Sequence, residues 1–424
     1  MFALDIRTGA NHACRPPGFS RRLNPGHSPP AALQAQGGKV PKRPNLEEGA
    51  DTNFAPAYYE FGMRKIERDP QKAADAFYWA TRLDPAWAQP VYARRIALLM
   101  ADPRLLVGYM RGNRRFLESK EARRIDSLEL RALTLDPFLN RDLDKQLIVF
   151  YLRALFQEML QQNGQQLDAA SSVGFEYYME HYLRNDARER VRASMAMSEG
   201  RVPDALELYR KAIPQEPDDE AWIHVERARA FHMLGNEDST RAELAQGLEK
   251  LRKRDQKAFV FVYESKALLE QCIGLTYELK AQFEPAREAY GRALQEDLSY
   301  SPAHIRLGSV ALAVGDTTSA LSEMDLAVQV KPDDPWVRAT YGQTLAQTGR
   351  AADAAVQLKK AVDLEPFYPG PYYLLGRVAE TLGKPAEAAE DYRGYLTHAS
   401  SRDVRVPDVK QRLAALGPVA GERP

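Results

Sequence analysis

Two small residues recur every 34 positions through the C-terminal half of this 424-residue chain. The glycines are Gly274, Gly308, Gly342 and Gly376, and twelve residues after each comes an alanine, at Ala286, Ala320, Ala354 and Ala388. A fixed period of this length indicates a repeat array, in which each unit buries its apolar surface only by stacking on its neighbours. The chain is therefore predicted to form a row of similar units rather than one large core.

Each unit has the pattern of two helices joined by a short turn. Between the recurring glycine and alanine lies a helix stop, which is Gly315, Gly349 or Gly383 in three units and Ala281 in the first. Apolar residues recur at helical spacing on both sides of the stop. Each unit is therefore predicted to be an antiparallel helical hairpin.

Residue size along the repeat indicates how the helices pack. Two antiparallel helices approach closely only where side chains are small, so we expect Gly342 of a first helix to face Ala354 of the second. At one position of the second helix each repeat has a large residue that fills the remaining space. At a later position it has a small residue, which allows the next hairpin to pack closely. The large residues are Tyr290, Met324, Leu358 and Tyr392, and the small ones are Ala293, Ala327 and Ala361.

This arrangement resembles the tetratricopeptide repeat (TPR), a helix–turn–helix unit of the same length. The resemblance covers four units in register, 267–300, 301–334, 335–368 and 369–402, and the last unit departs from the pattern at Tyr395 and Ser400. It implies an all-α fold, a right-handed α-solenoid of antiparallel helix hairpins. Residues 403–424 are predicted to form a capping helix and tail, because apolar residues of 409–416 share one helical face.

Upstream of residue 267 the pattern weakens. A unit at 186–219 keeps a helix stop at Gly200 and has Ala193 in place of the first glycine, so the TPR array is predicted to extend over 186–402. Residues 220–254 form a looser unit, and residues 69–85 repeat only the second-helix half of the pattern. We interpret 54–185 as divergent helical hairpins, which are either degenerate TPR-like units or a separate helical region.

The beginning of the chain has a different composition. Residues 1–50 contain 6 Gly and 7 Pro, a content typical of disordered segments. We therefore expect residues 1–53 to form a disordered Pro/Gly-rich leader. Its lysines and arginines leave open a basic arm that contacts nucleic acid or acidic lipid, and a true start site further downstream is another alternative.

The sequence contains no motif that indicates catalysis or a cofactor. A P-loop, a dinucleotide-binding glycine motif, a nucleophile elbow and a helical zinc-protease motif are all missing. No histidine has a second His or Cys at helical metal spacing, and His224 and His232 are interpreted as exposed side chains. Cys14 and Cys272 also lack a partner at metal or redox spacing. We therefore expect no enzymatic activity, no cofactor and no metal.

Charge and hydropathy narrow the class of partner. Lys+Arg and Asp+Glu are equal in number, 58 each, which excludes a protein whose whole surface binds nucleic acid. Basic clusters at 111–124 and 250–257 are interpreted as solvated helix faces, so nucleic-acid binding is not favoured. No signal peptide or transmembrane segment is recognised, and a cytoplasmic location is expected. The expected partner is a protein or peptide, while homo-oligomerisation stays open.

The resemblance to TPR proteins also implies a binding surface. Set positions of the first helices line a concave groove in that family, and carried onto this chain they are Gln271, Leu275, Glu278, Ile305, Ser309, Leu312, Ala339, Gln343, Ala346, Tyr373, Arg377 and Glu380. The resemblance implies a non-catalytic protein–protein interaction scaffold that binds a peptide segment or a partner helix in this groove. Two alternatives remain, an accessory or regulatory subunit with an unrecognised activity in its N-terminal helical region, and an envelope-associated assembly factor.

Overall fold

The computed structural model describes residues 40–110, 119–163, 169–186, 188–215, 220–258 and 263–416, and all regular secondary structure within these ranges is helical. In chain order the α-helices are α1 (Ala55–Lys65), α2 (Pro70–Leu83), α3 (Ala88–Ala101), α4 (Pro103–Met110), α5 (Lys120–Leu135), α6 (Asp144–Gln162), α7 (Ala169–His181), α8 (Glu189–Ser198), α9 (Val202–Ala212), α10 (Glu220–Met233), α11 (Glu237–Ala258), α12 (Tyr263–Glu278), α13 (Phe283–Glu296), α14 (Ser301–Ala313), α15 (Thr317–Val330), α16 (Pro335–Gln347), α17 (Ala351–Leu364), α18 (Pro369–Thr381), α19 (Pro385–His398) and α20 (Val406–Leu416). A π-helical turn, Tyr182–Asp186, follows α7. The predicted all-α fold is confirmed.

The described residues belong to two compact units. Unit 1 contains residues 65–74 and 91–276, and unit 2 contains residues 40–64, 75–90 and 277–416. Unit 2 thus combines the C-terminal repeats with residues from the beginning of the chain. The domain boundaries predicted at 53, 185 and 402 stay predictions.

Glycines in the left-handed conformation end the first helices of the C-terminal hairpins. The turns of α14–α15, α16–α17 and α18–α19 place Gly315, Gly349 and Gly383 at φ of 83°, 80° and 68°. Glycine adopts this conformation at little cost because it has no Cβ. Ala281, at the corresponding place before α13, has φ of 53°, which is strained for a residue with a side chain. The predicted helix stops are confirmed.

The recurring glycines lie directly against the large residues of the second helices. The three pairs, with the distance that a Cβ on the glycine would have to the nearest side-chain atom, are Gly308–Met324 (3.0 Å), Gly342–Leu358 (2.6 Å) and Gly376–Tyr392 (2.4 Å). The close contact of Gly342 is therefore with Leu358 and not with the side chain of Ala354, whose backbone oxygen lies 3.4 Å away. Seven repeat alanines are fully buried, Ala286, Ala293, Ala320, Ala327, Ala354, Ala361 and Ala388.

The last helix, α20, packs against the last hairpin, α18–α19. Val409 is fully buried, and Leu413 and Leu416 pack against the same core cluster as Tyr392 and Tyr395 of α19. The apolar face of α20 thus replaces the first helix of a further repeat. The tail after residue 416 lies outside the described residues.

In unit 1, α8 and α9 pack against each other as a helical hairpin. Ala193 of α8 and Tyr209 of α9 lie in one buried cluster, which Ile223 of α10 joins. The turns after α8 and α10 contain Gly200 and Gly235 with φ of 74° and 69°. That the repeat array extends upstream to residue 186 stays a prediction.

The interpretation of His224 as an exposed side chain is wrong. His224 is 4% exposed, and its Nδ1 lies 2.7 Å from Oε2 of Glu243 on α11. His232 is partly buried and stacks on the ring of Phe138, with 3.9 Å between the ring centroids. Both imidazoles thus contact other residues of unit 1. The prediction failed because helical periodicity alone does not show which face of α10 packs against its neighbours.

Part of the predicted disordered leader is ordered in the structure. Residues 40–53 pack within unit 2, whereas residues 1–39 lie outside the described residues. Next to this segment, Arg82 of α2 forms a buried ion pair with Glu365, with 2.9 Å between Nη2 and Oε1. Ordering of 40–53 follows from contacts with residues far along the chain, which local composition does not reveal.

Candidate partner-binding surface

The twelve predicted groove residues lie on four first helices, α12, α14, α16 and α18. Gln343 and Arg377 are exposed, and the half-buried ones are Leu275, Glu278, Ser309, Leu312, Ala346, Tyr373 and Glu380. Buried members are Gln271, Ile305 and Ala339. Gln271 and Leu275 belong to unit 1, and the other ten belong to unit 2.

The buried members pack inside the array and offer no contact surface. Ile305 is 5% exposed and belongs to a core cluster with Met324 and Tyr341. Ala339 is 4% exposed and Gln271 is 1% exposed. Stacking of one hairpin on the next covers these positions, so the accessible part of the predicted groove is smaller than the set of twelve.

Paired charges form the C-terminal end of this surface. Arg377 Nη1 donates to Tyr373 Oη at 3.3 Å, and Arg377 Nε lies 3.6 Å from Glu380 Oε2. Arg412 Nη1 of α20 donates to the same oxygen of Glu380 at 2.9 Å. The guanidinium of Arg405 lies 5.4 Å from the centre of the Tyr373 ring. These contacts hold the side chains in one arrangement before any partner binds.

The ionisable groups around this network keep a fixed charge. Burial and the nearby Glu380 carboxylate raise the pKa of the Tyr392 hydroxyl. The hydrogen bond from Arg412 to Asp408 raises the pKa of the Arg412 guanidinium, with Glu380 adding to the effect. Tyr392 therefore stays neutral and Arg412 stays charged across the physiological pH range. Neither has the near-neutral pKa that general acid–base catalysis uses.

The other end of the surface in unit 2 is also neutralised. Tyr290 Oη donates to Glu278 Oε2 at 2.5 Å, and Arg306 Nη1 lies 3.5 Å from Glu278 Oε1. In the centre, Ser309 Oγ donates to the carbonyl oxygen of Ile305 at 2.9 Å. The other central side chains, Leu312, Gln343 and Ala346, are uncharged. The accessible surface thus has an amide and aliphatic centre between two sets of paired charges.

A small cavity of about 130 Å³ lies between α17, α18 and α19, at residues outside the predicted set. Ala355 and Leu375 line it, with Lys359 and Asp391 also contributing. Ala355 stands where the preceding repeat has Leu321, a difference of side-chain volume that is visible in the sequence. Burial raises the pKa of Asp391 to about 6.

The described residues were also compared with the requirements of a metal site, a reactive thiol and a membrane-spanning helix. Among the described residues, no group of three or more His, Cys, Asp or Glu side chains is placed to hold a metal ion. Burial raises the pKa of the Cys272 thiol, which keeps it protonated and unreactive. In the part of the chain that the structure describes, no helix has both the length and the apolarity needed to cross a membrane.

Comparison with known proteins finds one family model and two relatives that each share part of their length with this chain. Residues 341–403 match the family model described as tetratricopeptide repeat. The BBSome complex member bbs-4 of Caenorhabditis elegans is 22% identical over 235 residues, which is 54% of this chain and 48% of the relative. The protein O-mannosyl-transferase Tmtc1 of Drosophila melanogaster is 37% identical over 71 residues, 16% of this chain and 8% of the relative. The chain thus spans about half of the first relative and a small part of the second.

Comparison with solved structures finds matches at low sequence identity. YrrB, described as a TPR protein with an unusual peptide-binding site, has 20% sequence identity and a TM-score of 0.37, covering 49% of this chain and 100% of its own. A chain of the APC/C hetero-tetramer Cut9–Hcn1 has 11% identity and a TM-score of 0.39, covering 86% of this chain and 76% of its own. The family-model match falls in the last two of the four repeats that share the 34-residue period. Residues 341–403 are therefore tetratricopeptide repeats, and they belong to the 34-residue period that begins at residue 267.

Proposed function

We propose that this protein is a non-catalytic interaction scaffold that binds an extended peptide segment or a partner helix along the first-helix surface of unit 2. The TPR fold supports a protein–protein interaction role in general, and the choice of surface rests on side-chain exposure. Gln343 and Arg377 are exposed on helices whose neighbouring positions, such as Leu345 and Val378, are buried in the core. Binding groups that stand on packed helices lose little conformational entropy when a partner docks.

The chemistry of the surface indicates what kind of segment fits. An amide and aliphatic centre suits a stretch with polar backbone groups and small apolar side chains. Arg377 and Glu380 are paired at the C-terminal end, so a charged partner residue has to exchange with an existing contact. We therefore propose a peptide of mixed polarity, with an acidic group near Arg377, as the preferred ligand.

No observation on the described residues favours the alternatives of an accessory subunit with its own activity or an envelope-associated assembly factor. The relatives' names refer to a complex member and to a transferase, and each shares only part of its length with this chain. Their activities and partners are not carried over. We propose instead that the protein acts as a scaffold, that it binds a protein or peptide partner, and that it does so in the cytoplasm.

Selection from a peptide library displayed on phage, followed by affinity measurement on single variants, tests the proposal. Gln343→Ala removes one neutral hydrogen-bonding group, and we expect about a fivefold loss of affinity for the selected peptide. Arg377→Ala removes a charged donor, and we expect a loss of about tenfold or more. Lys360→Ala, which removes an exposed charge from the second helix α17, is the control and leaves the affinity unchanged.

The outcome against the proposal is equally specific. If Arg377→Ala and Gln343→Ala bind the selected peptide as the unmodified protein does, while their helicity is intact, the peptide binds elsewhere and this surface is not the partner site. If either variant loses helicity or melts early, the side chain contributes to packing, and the groove assignment fails at that position.

A further inference from the structure

Residues 40–54, which precede α1, dock on the end of the C-terminal array. We call this segment the N-terminal strap. The Asp51 carboxylate accepts hydrogen bonds from Ser400 Oγ at 2.9 Å, from the Ser401 backbone N at 2.7 Å and from Ser401 Oγ at 2.8 Å. Burial raises the pKa of Asp51, but its hydrogen bonds outweigh burial and the pKa is lowered overall. The loop after α19 thus binds this carboxylate in its ionised form.

Asn53 and Phe54 of the strap contact the end of α19 and the loop that follows it. Asn53 Nδ2 donates to the carbonyl oxygen of Thr397 at 2.8 Å and lies 3.5 Å from that of Ala399. Carbonyl groups in the last turn of a helix have no partner within the helix, and an amide donor satisfies them. The Arg402 guanidinium lies 4.8 Å from the centre of the Phe54 ring. The sequence Asp51–Phe54 therefore meets complementary groups at three of its four positions.

An arginine anchors the start of the strap. The Arg43 guanidinium lies 5.1 Å from the ring centre of Trp79 and 5.7 Å from that of Phe367. Arg43 Nε donates to Tyr58 Oη at 2.8 Å, and Trp79 Nε1 donates to the carbonyl oxygen of Pro41 at 3.0 Å. A cation over aromatic faces gains more when water is partly excluded, as in this half-buried position.

The surface under the strap is specific to the last two repeats. Phe367 stands where the preceding repeat has Asp333, so the aromatic platform for Arg43 is not a general repeat feature. Ser400 stands where the preceding repeat has Pro366, which has no hydrogen-bond donor. Ser400 is one of the two departures from the repeat pattern in the last unit, and its hydroxyl binds Asp51. In the structure, the serine that departs from the repeat pattern therefore binds the strap.

We propose that residues 365–368 and 397–402 form a peptide-binding edge, separate from the first-helix surface, that recognises an Asp-x-Asn-Phe turn preceded by an arginine. Its occupant is the chain's own N-terminal strap. The strap contains no helix, and its partners Thr397, Ser401 and Arg402 are exposed. Its release is therefore a local opening that leaves the helices of the array folded.

The test uses the full-length chain with the strap weakened. In Asp51→Ala/Asn53→Ala the edge is vacated, and a fluorescent synthetic peptide of residues 40–54 is expected to bind to it saturably. The unmodified protein is expected to bind the peptide at least about tenfold more weakly, because its tethered strap competes at a high effective concentration. The same peptide carrying both substitutions does not bind. Glu48→Ala, which removes an exposed carboxylate of the strap, behaves as the unmodified protein.

Two further measurements test the proposal, and the first needs only the single variant Asp51→Ala, so it can be made even if the double variant is poorly folded. Hydrogen exchange of the Ser401 amide, which donates to Asp51, is expected to accelerate about 10- to 100-fold in Asp51→Ala, as loss of a hydrogen bond to a charged group implies. Ser400→Ala/Ser401→Ala in the Asp51→Ala/Asn53→Ala background is expected to abolish peptide binding. Unchanged exchange at Ser401, or peptide binding that ignores the serines, overturns the proposal.

Discussion

The contact between each repeat glycine and its large neighbour predicts a graded series of alanine substitutions. Gly376→Ala places a methyl group 2.4 Å from Cε1 of Tyr392, and Gly342→Ala places one 2.6 Å from Cγ of Leu358. Both neighbours are fully buried, so an aromatic ring or a branched carbon has to move. Gly308→Ala meets the flexible end of Met324 at 3.0 Å. Gly291, inside α13, has nothing within 4 Å of an added Cβ and is the matched control.

Two opposing contributions set the expected magnitudes. Alanine in place of a helical glycine stabilises by about 0.5–1 kcal/mol through the lower entropy of the unfolded chain. Overpacking of a filled core costs about 1–3 kcal/mol. We therefore expect Gly291→Ala to stabilise by about 0.5–1 kcal/mol. Gly308→Ala is expected to be close to neutral, and Gly342→Ala and Gly376→Ala are expected to destabilise by up to about 2 kcal/mol.

Urea unfolding followed by circular dichroism measures the order of the series. Because repeat arrays unfold in parts, hydrogen exchange in α18 and α19 is needed to show that the loss in Gly376→Ala is local. If Gly376→Ala is as stable as Gly291→Ala, the glycine is not required by Tyr392, and the packing explanation for the 34-residue period is wrong.

Three further predictions each concern a single residue or a single pair of residues. Ala281→Gly is expected to stabilise by up to about 1 kcal/mol in thermal melts, because Ala281 has φ of 53°, and no gain would show that the turn is unstrained. Glu365→Met leaves the buried Arg82 guanidinium without its counter-charge and is expected to cost about 3–5 kcal/mol. Most of this cost is expected to be restored in Arg82→Met/Glu365→Met, and additive costs in the cycle with Arg82→Met would contradict the pairing. Burial lowers the pKa of His304, but its contacts with Glu323 and the Leu298 carbonyl oxygen raise it above 6.5 overall. The protonated imidazole therefore stabilises the folded state, and this contribution is fully present below pH 6.5. The difference in unfolding free energy between the unmodified protein and His304→Gln is expected to shrink as pH rises through the pKa of the folded state. An NMR titration of the imidazole checks the direction of the pKa shift.

The repeat core was predictable because its determinants are local and periodic. The glycine turns follow from residue size at fixed spacing, whereas the close contact of Gly342 was expected with Ala354 and is with Leu358. The hairpin α1–α2 was only half recognised, because a Cβ on Gly62 would lie 2.5 Å from Phe77, a pair one residue closer in sequence than those of the later repeats. A comparison at a fixed period of 34 residues does not recognise a hairpin whose paired residues are spaced differently.

The candidate surfaces were less predictable for a physical reason. Whether Ile305 is exposed depends on how tightly one hairpin covers the next, which the residue pattern of a single repeat does not state. The order of residues 40–53 depends on Ser400 and Ser401, which lie about 350 positions further along the chain. Local composition reports the cost of ordering such a segment but not the distant contacts that offset it.

The distance in sequence between the strap and its binding edge has a consequence for biosynthesis. Asp51 leaves the ribosome long before Ser401, which lies 350 residues later. At a translation rate of about 5–20 residues per second, the strap waits for roughly 20–70 s before its binding site exists. During that interval Trp79 and Phe54 lack their final neighbours, so the emerging chain exposes aromatic surface that chaperones recognise until the last repeat is made.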